Sequence, residues 1–385
     1  RTSDLSKGKG LYRIAATKDG DLLEQTLHPG DTLEVLPASS QKSETVYILE
    51  GELSLGRQSL QPQQLITSDE LRHPVTLSTQ RPTKLLRFSA PPREEIVSSG
   101  LASFESGSLQ LLYSSGSTEL SFMHLNRDMR FFIVPNEASS PASEVYYVLG
   151  GRLSFHHQDQ TIVLSEGDYI VAEGLERAVA FHGLTDVTMV YFSSQPSFND
   201  VGQDAEKLMQ LADSIEQKDG YTADHCKRIQ DFSLRTAEAM GLSHDRLYLL
   251  NYGAYLHDVG KAKLPEGLLQ KPGKLTSEEW TVMKQHPTMG RELLENSFLQ
   301  EVGEIIEQHH ERLDGSGYPR GLQSLEISLE AYIIAVADTF DAMTTDRPYR
   351  AALPVSHALA ELRTYADQHY PLEVVETFIK ANRLE

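Results

Sequence analysis

Apolar residues change their period halfway along the chain. Up to residue 196 they come in short runs of β-branched, aliphatic and aromatic residues, such as Thr45-Val46-Tyr47-Ile48-Leu49, Leu85 to Phe88 and Val187 to Phe192. Gly, Pro, Ser and Asp clusters bound these runs, a pattern that predicts strands. Leu208, Leu211, Ala212 and Ile215 fall at i, i+3, i+4 and i+7 within 203–217, which predicts an amphipathic helix. Pro196 and Asn199-Asp200 ahead of it read as hinge and cap. Helical periodicity then runs to residue 385, broken by loops at 262–276 and 313–328. The expected fold class is multidomain, with an all-β N-terminal half and an all-α C-terminal half.

The β half repeats itself. SETVYILEGELSL (43–55) and SEVYYVLGGRLSF (143–155) share seven of 13 positions without a gap, at an offset of 100 residues. Repetition on this scale means two copies of one small domain. The resulting layout is 1–100 and 101–196 for the two β copies, 197–217 for a connecting amphipathic helix, and 218–385 for a helical domain. The strand–Gly–strand unit resembles a cupin, a small β-barrel, over roughly residues 20–195. Tyr47 to Gly51 and Tyr147 to Gly151 match the end of a cupin strand, and Glu44 and Glu144 stand at its glutamate position. Where a cupin places two histidines, this chain has Ser39-Ser40 and Ser139-Ser140, and serine hydroxyls are poor substitutes for imidazole ligands. The resemblance therefore implies tandem cupin-like barrels more than cupin chemistry. His73 and His156-His157 read as solvated or turn histidines. The expectation is a metal-free pair of barrels that senses an unidentified ligand or pairs subunits.

Composition narrows the function classes. The 385 residues carry 35 Lys+Arg against 55 Asp+Glu, a net charge of -20 spread over both halves. Long nucleic acids and anionic membrane surfaces both require basic faces, so neither is an expected partner. No apolar run approaches the ~20 residues of a membrane span. The N-terminal RTSDLSKGKG has neither an apolar core nor a starting Met, so it reads as neither a signal peptide nor a native start. The single cysteine, Cys226, forbids an intramolecular disulfide and reads as a small apolar helix residue. A reducing cytoplasmic setting is the default expectation.

Candidate chemistry concentrates in the helical half. In LHDVGK (256–261), Leu250 and Ala254 lead at helical spacing into His257. Neighbouring His257 and Asp258 diverge by about 100° on a helix, so each can reach a different metal. KQHPTMG puts His286 before Pro287, at a helix N-terminus. Val302, Ile305, Ile306 and His309 share an apolar face, and His310 follows. Two buried imidazoles need a partner, which a metal supplies. That helix is expected to stop at Asp314-Gly315-Ser316-Gly317, exposing Tyr318-Pro319. Ala331, Ile334 and Asp338 continue another apolar face, with Asp341 one turn on and Arg347 and Arg350 beyond. Singly, most of these motifs are as well read as surface or capping residues. Trp280 is expected to pack within its helix, and His244, His357 and His369 to lie on the surface.

Taken in order, DGYTADHCKRI (219–229), LHDVGK, LPEGLLQKPGKLTSEEW (264–280), His286-Pro287, HHERLDGSGYPRGL (309–322) and VADTFDAMTTDRPYR (336–350) resemble an HD-GYP domain over nearly all of 203–385. That family comprises helical HD-type phosphohydrolases acting on cyclic di-GMP. The resemblance implies metal ligands at His225, His257, Asp258, His286, His309, His310 and Asp338, with Asp258 bridging two metals. His225, His257 and Asp338 would serve one, and His286, His309 and His310 the other. An all-nitrogen-and-oxygen set suits two divalent ions such as iron or manganese. The resemblance gives Lys261, Asp258 and Asp341 catalytic positions. Lys261 faces the metal-bound water and phosphate, and Asp341 backs the ligands. Arg347 and Arg350 would hold phosphate, and Gly317, Tyr318 and Pro319 would line the substrate site. Some family members carry a glutamate four residues before the first histidine, which supports a third metal. Here that residue is Tyr221, so two metals are expected, with Asp219 and Glu216 open as substitutes. The implied reaction is attack of a metal-bridging hydroxide on cyclic di-GMP, giving pGpG and, with a second cleavage, GMP. Two alternatives stand beside it: a module that binds cyclic di-GMP or a protein through the GYP loop without turnover, and a hydrolase of another cyclic dinucleotide. The 203–217 helix reads either as a regulatory connection, through a homodimer formed along it, or as a rigid spacer. Two divalent ions outweigh the carboxylates of Asp258 and Asp338, which reconciles an acidic chain with a small phosphate substrate.

Overall fold

The structure is a computed structural model that describes residues 11–16, 21–39, 43–62, 64–68, 71–90, 101–104, 107–115, 118–135, 143–157, 160–194, 203–218, 225–271, 273–346 and 351–384. Two compact units divide between Gly202 and Gln203.

The first unit is all-β, and its described strand pairs are antiparallel. The repeat at an offset of 100 residues appears as a repeated topology. In the first copy a larger sheet has the spatial order 11–16, 21–27, 83–90, 43–50, 65–67, and a smaller one 32–35, 75–78, 53–55, 58–60. In the second copy the larger sheet is 101–104, 107–115, 118–125, 187–193, 143–150, 169–173, and the smaller 130–133, 179–183, 152–157, 160–165. The ladder slips at the matched places Ile48/Glu50 and Val148/Gly150. The next residue, Gly51 or Gly151, has φ +86° in both copies. A Cβ there would stand 2.5 Å from Pro82 O or 2.0 Å from Asp186 O, so glycine is required for conformation and for space.

Strands 43–50 and 143–150 are buried on both faces because each serves two cores. Val46 and Ile48 enter the first barrel with Leu53, Leu77 and Leu85, and Val148 enters the second with Phe181 and Met189. Side chains alternate across a strand, so Tyr47 and Tyr147 point the other way. They meet Phe88 and Phe192 in a third cluster that joins the two larger sheets.

The second unit is helical. Its helices are α1 (Gln203–Lys218), α2 (His225–Ala239), α3 (His244–Leu256), α4 (Glu266–Leu269), α5 (Ser277–Met283), α6 (His286–Leu294), α7 (Val302–Gln308), α8 (Leu329–Thr344), α9 (Val355–Thr364) and α10 (Leu372–Ala381). The expected loop at 262–276 holds α4, and that at 313–328 holds a 3-10 turn at Ser324–Glu326. Thr276 and Glu279 form a reciprocal cap on α5, and Ser328 caps α8. Cys226 is buried among Leu256, Val259, Leu294 and Ile306. Among the described residues no helix is long and apolar enough to cross a membrane.

Two helices end earlier than their periodicity suggests. α3 stops at Leu256, so His257-Asp258 leads into a 3-10 turn, Val259–Lys263, instead of continuing a helix face. The cause is tertiary. Gly260 presses against α6 so closely that a Cβ would lie 1.9 Å from His286 O. α7 stops at Gln308, well before Asp314. The chain beyond it folds back until a Cβ on Gly317 would lie 2.5 Å from Glu311 Cα.

Candidate metal centre

Four helix ends meet at one point. His225 and His286 open α2 and α6, while His257 and His309 directly follow α3 and α7. Each ring has one nitrogen anchored. His257 Nδ1 donates to Ala254 O (2.9 Å), His286 Nδ1 to Met283 O (2.8 Å) and His309 Nδ1 to Ile306 O (2.6 Å). A carbonyl can only accept, so it fixes the proton on Nδ1 and leaves Nε2 with its lone pair. His225 Nδ1 instead meets Asp341 Oδ2 at 2.7 Å.

The rings converge on Asp258. Its Oδ1 is 3.2 Å from His286 Nε2 and 3.9 Å from His309 Nε2. Its Oδ2 is 3.4 Å from His257 Nε2 and 2.8 Å from Lys261 Nζ. Two donor clusters share this carboxylate: His225, His257 and Asp258, and Asp258, His286, His309 and His310. Within each, the donor atoms lie within 4.8 Å of one another. Asp338 belongs to neither, but its Oδ1 is 3.8 Å from His225 Nε2.

The donor set fits divalent cations on two grounds. His257 Nε2, His286 Nε2, His309 Nε2, Asp258 Oδ1 and Asp338 Oδ1 are buried with no hydrogen-bond partner among the described residues. Buried polar atoms without partners are costly, and here five face one small volume. Anchoring of Nδ1 by a carbonyl or carboxylate is also how metal-binding imidazoles are held. The electrostatics agree. Burial, then His257 and His286, push His309 well below the ordinary histidine pKa; burial, then His309 and His286, do so for His310. Both are therefore neutral, the form that binds metal. Burial opposes charge on Asp258, yet Lys261 and His257 hold its carboxyl well below the usual range. His257 differs: burial opposes an imidazolium, but Asp258 and then Asp338 raise it to about 9, so a cation bound there would have to displace the Nε2 proton that these carboxylates favour.

Several supporting residues escape a reading of the sequence. Arg228 Nη2 reaches Asp341 Oδ2 at 3.0 Å. Burial would raise the Asp341 carboxyl, but the bonds from His225 and Arg228 outweigh it and hold the pKa at about 2. Glu311, 1% exposed, accepts from the backbone N–H groups of Arg320 (2.6 Å), Gly321 (3.1 Å) and Leu322 (3.0 Å), closing the loop that carries Gly317, Tyr318 and Pro319. His369 O and Gln368 O accept from Leu313 N and Asp314 N at the loop's base. His369 is half-buried and stacked on Tyr365, not simply a surface residue. Trp280 departs further from expectation. It is 45% exposed and stands 6.2 Å from the Tyr318 ring, on a helix that buries none of its residues. Glu216 accepts the His225 backbone N–H, so its carboxylate caps α2. Asp219, Tyr221, Arg347 and Arg350 lie outside the described residues.

In the β half, Glu44 accepts from Arg87, whereas Glu144 accepts from Tyr146 OH (2.9 Å) and Tyr191 OH (3.0 Å). Arg87 and Tyr191 hold the same register position in the two copies. His73 and His156 are exposed, and the side chain of His157 lies outside the described residues. Among the described residues, both donor clusters lie in the helical half.

Residues 209–374 match the family model of the HD domain, so the helical half carries an HD domain. A protein named cyclic di-GMP phosphodiesterase from Thermotoga maritima is 44% identical over 171 residues, covering 44% of this chain and 46% of that protein. The cyclic di-GMP phosphodiesterase response regulator RpfG of Xanthomonas campestris is 42% identical over 188 residues, covering 48% and 50%. A 3'3'-cGAMP-specific phosphodiesterase 2 of Vibrio cholerae is 34% identical over 178 residues, covering 46% and 34%. The chain thus spans half or less of the length of these curated relatives. Among solved structures, a cupin 2 conserved barrel domain protein from Leptotrichia buccalis aligns with 50% of this chain and 92% of its own, at 10% identity and a TM-score of 0.36. AerE from Microcystis aeruginosa covers 49% and 98%, at 11% identity and a TM-score of 0.34. At these scores the likeness carries no functional argument.

Proposed function

We propose that the HD half is a metal-dependent phosphodiesterase that opens cyclic di-GMP to linear pGpG, under the control of the β half. The observation that carries this reading is the set of partnerless buried donors around Asp258, held by anchored rings. His225, His257, Asp258 and Asp338 would hold one ion, and Asp258, His286, His309 and His310 a second. When bound, two divalent ions, iron or manganese by the donor chemistry, would supply Lewis acidity to water and phosphate at once.

The chain's own residues do the rest. Asp258 joins the two clusters and fixes their spacing. Lys261, 7% exposed, keeps its ammonium beside Asp258 Oδ2, where it can also donate to a phosphate oxygen as charge develops. Asp341 holds His225 in orientation. Tyr318 packs on His310 at 4.7 Å between ring centres, so the loop of Gly317, Tyr318 and Pro319 walls the second cluster. Control from the β half would act through α1. Asp213 on α1 accepts from Tyr255 OH (2.6 Å) and Glu216 from the His225 backbone, so a shift of α1 would move a ligand.

The relatives named for 3'3'-cGAMP favour a second reading, in which the substrate is a mixed cyclic dinucleotide and the phosphate chemistry is unchanged. The test is incubation of the purified chain with cyclic di-GMP or cGAMP and Mn²⁺ or Fe²⁺, with products resolved by chromatography. Formation of pGpG is expected. No product with any metal, under reducing or oxidising conditions, would overturn the proposal in favour of a binding module.

A further inference from the structure

Beyond the donor clusters, a line of rings leads outward. His310 packs on Tyr318 at 4.7 Å and 35°, and Tyr318 meets Trp280 edge-on at 6.2 Å and 74°. Trp280 is the outermost ring, and nearly half of it is uncovered. The start of its helix is fixed. The reciprocal cap of Thr276 and Glu279 starts α5, and Lys271 Nζ bonds Glu279 Oε1 at 2.7 Å, one residue before the indole. Lys284 follows four residues later, with its Nζ 5.8 Å from the centre of the Tyr318 ring. An exposed indole is apolar surface left in water, and beside a phosphate-directed site it is well suited to a flat heteroaromatic partner.

We infer that Trp280 is a stacking platform for a nucleobase of the substrate, a specificity-determining contact outside the metal centre. This rests on the proposed function only in taking the phosphate to sit at the donor clusters. Every base has a π-face, so stacking selects nucleotides over simpler phosphodiesters without choosing a base. Lys284 adds a cation beside the Tyr318 ring.

Trp280 is the sole tryptophan of the chain, so its emission reports this position alone. The full chain is titrated with GMP and, separately, with ribose 5-phosphate, which has the phosphate but no base. Quenching by GMP and not by ribose 5-phosphate is expected. In parallel, Trp280→Ala should raise KM for cyclic di-GMP about ten-fold with kcat changed less than about two-fold, and Trp280→Phe should restore KM to within about two-fold. Equal quenching by both ligands, no quenching by either, or an unchanged KM in Trp280→Ala would overturn the inference. A chain that hydrolyses no cyclic dinucleotide yet is quenched by GMP alone would overturn the proposed function and leave the stacking platform standing.

Discussion

Replacing Asp341 with Asn tests whether the centre depends on residues that touch no metal. Asp341 is 1% exposed and links His225 Nδ1 at 2.7 Å to the Arg228 guanidinium. Its pKa of about 2, against an ordinary 3.8, means that burial opposes the charge but these partners outweigh it, leaving a net preference for the carboxylate of about 2 kcal/mol. Asparagine keeps the shape and one acceptor oxygen for His225, but it turns an amide NH₂ towards the Arg228 donors and removes the charge. His225 then loses most of the field that holds its proton on Nδ1 and its Nε2 towards the cluster. Loss of such an outer partner typically weakens metal binding by about 10–100-fold, which is about 1.4–2.7 kcal/mol. The assay is titration calorimetry of Mn²⁺ into the full chain and into Asp341→Asn, with circular dichroism to confirm that the helices persist. An unchanged Mn²⁺ affinity in a folded variant would refute the view that His225 is a ligand held by Asp341.

Three further outcomes follow from the same geometry. Gly260→Ala puts a methyl 1.9 Å from His286 O, a clash with backbone that should cost about 3 kcal/mol or more, read as a lower Tm of the helical unit. Glu311→Ala strips the acceptor from three backbone N–H groups, at about 1–3 kcal/mol for each one left buried; KM for cyclic di-GMP should rise while Mn²⁺ affinity holds, and an unchanged KM would count against the loop's role. Glu144 has its pKa raised above 4.5 by burial, only partly offset by bonds from Tyr146 and Tyr191, so its contribution to stability is present below pH 4.5 and lost as pH rises through the raised value. Glu144→Gln should therefore melt higher than the native chain at neutral pH, with the gap closing towards pH 4.5, and a lower melting point at neutral pH would contradict this sign.

The change of hydrophobic period at residues 196–203 was enough to separate strands from helices, because burial on one face imposes a period of two or of 3.6. His309 and Asp338 stood out for a related reason, since an imidazole or carboxylate on an apolar helix face requires a partner, whereas His225 and the grouping of the ligands came from the ordered family resemblance. What could not be read was tertiary. The ends of α3 and α7 depend on how closely Gly260 and Gly317 approach other segments, and periodicity carries no distance. Glu311 looks like any solvated glutamate in a polar loop until its three N–H donors fold over it. Arg228 and Asp341 lie 113 residues apart, so nothing local pairs them. Trp280 misleads because an aromatic in a helix usually packs inward, whereas α5 buries none of its residues.

The most direct test of the shared carboxylate compares the Mn²⁺-loaded native chain with Asp258→Asn on cyclic di-GMP, following pGpG by chromatography. The predicted result is steady conversion by the native chain and none by a folded Asp258→Asn. Full turnover by Asp258→Asn would contradict a centre built on that residue.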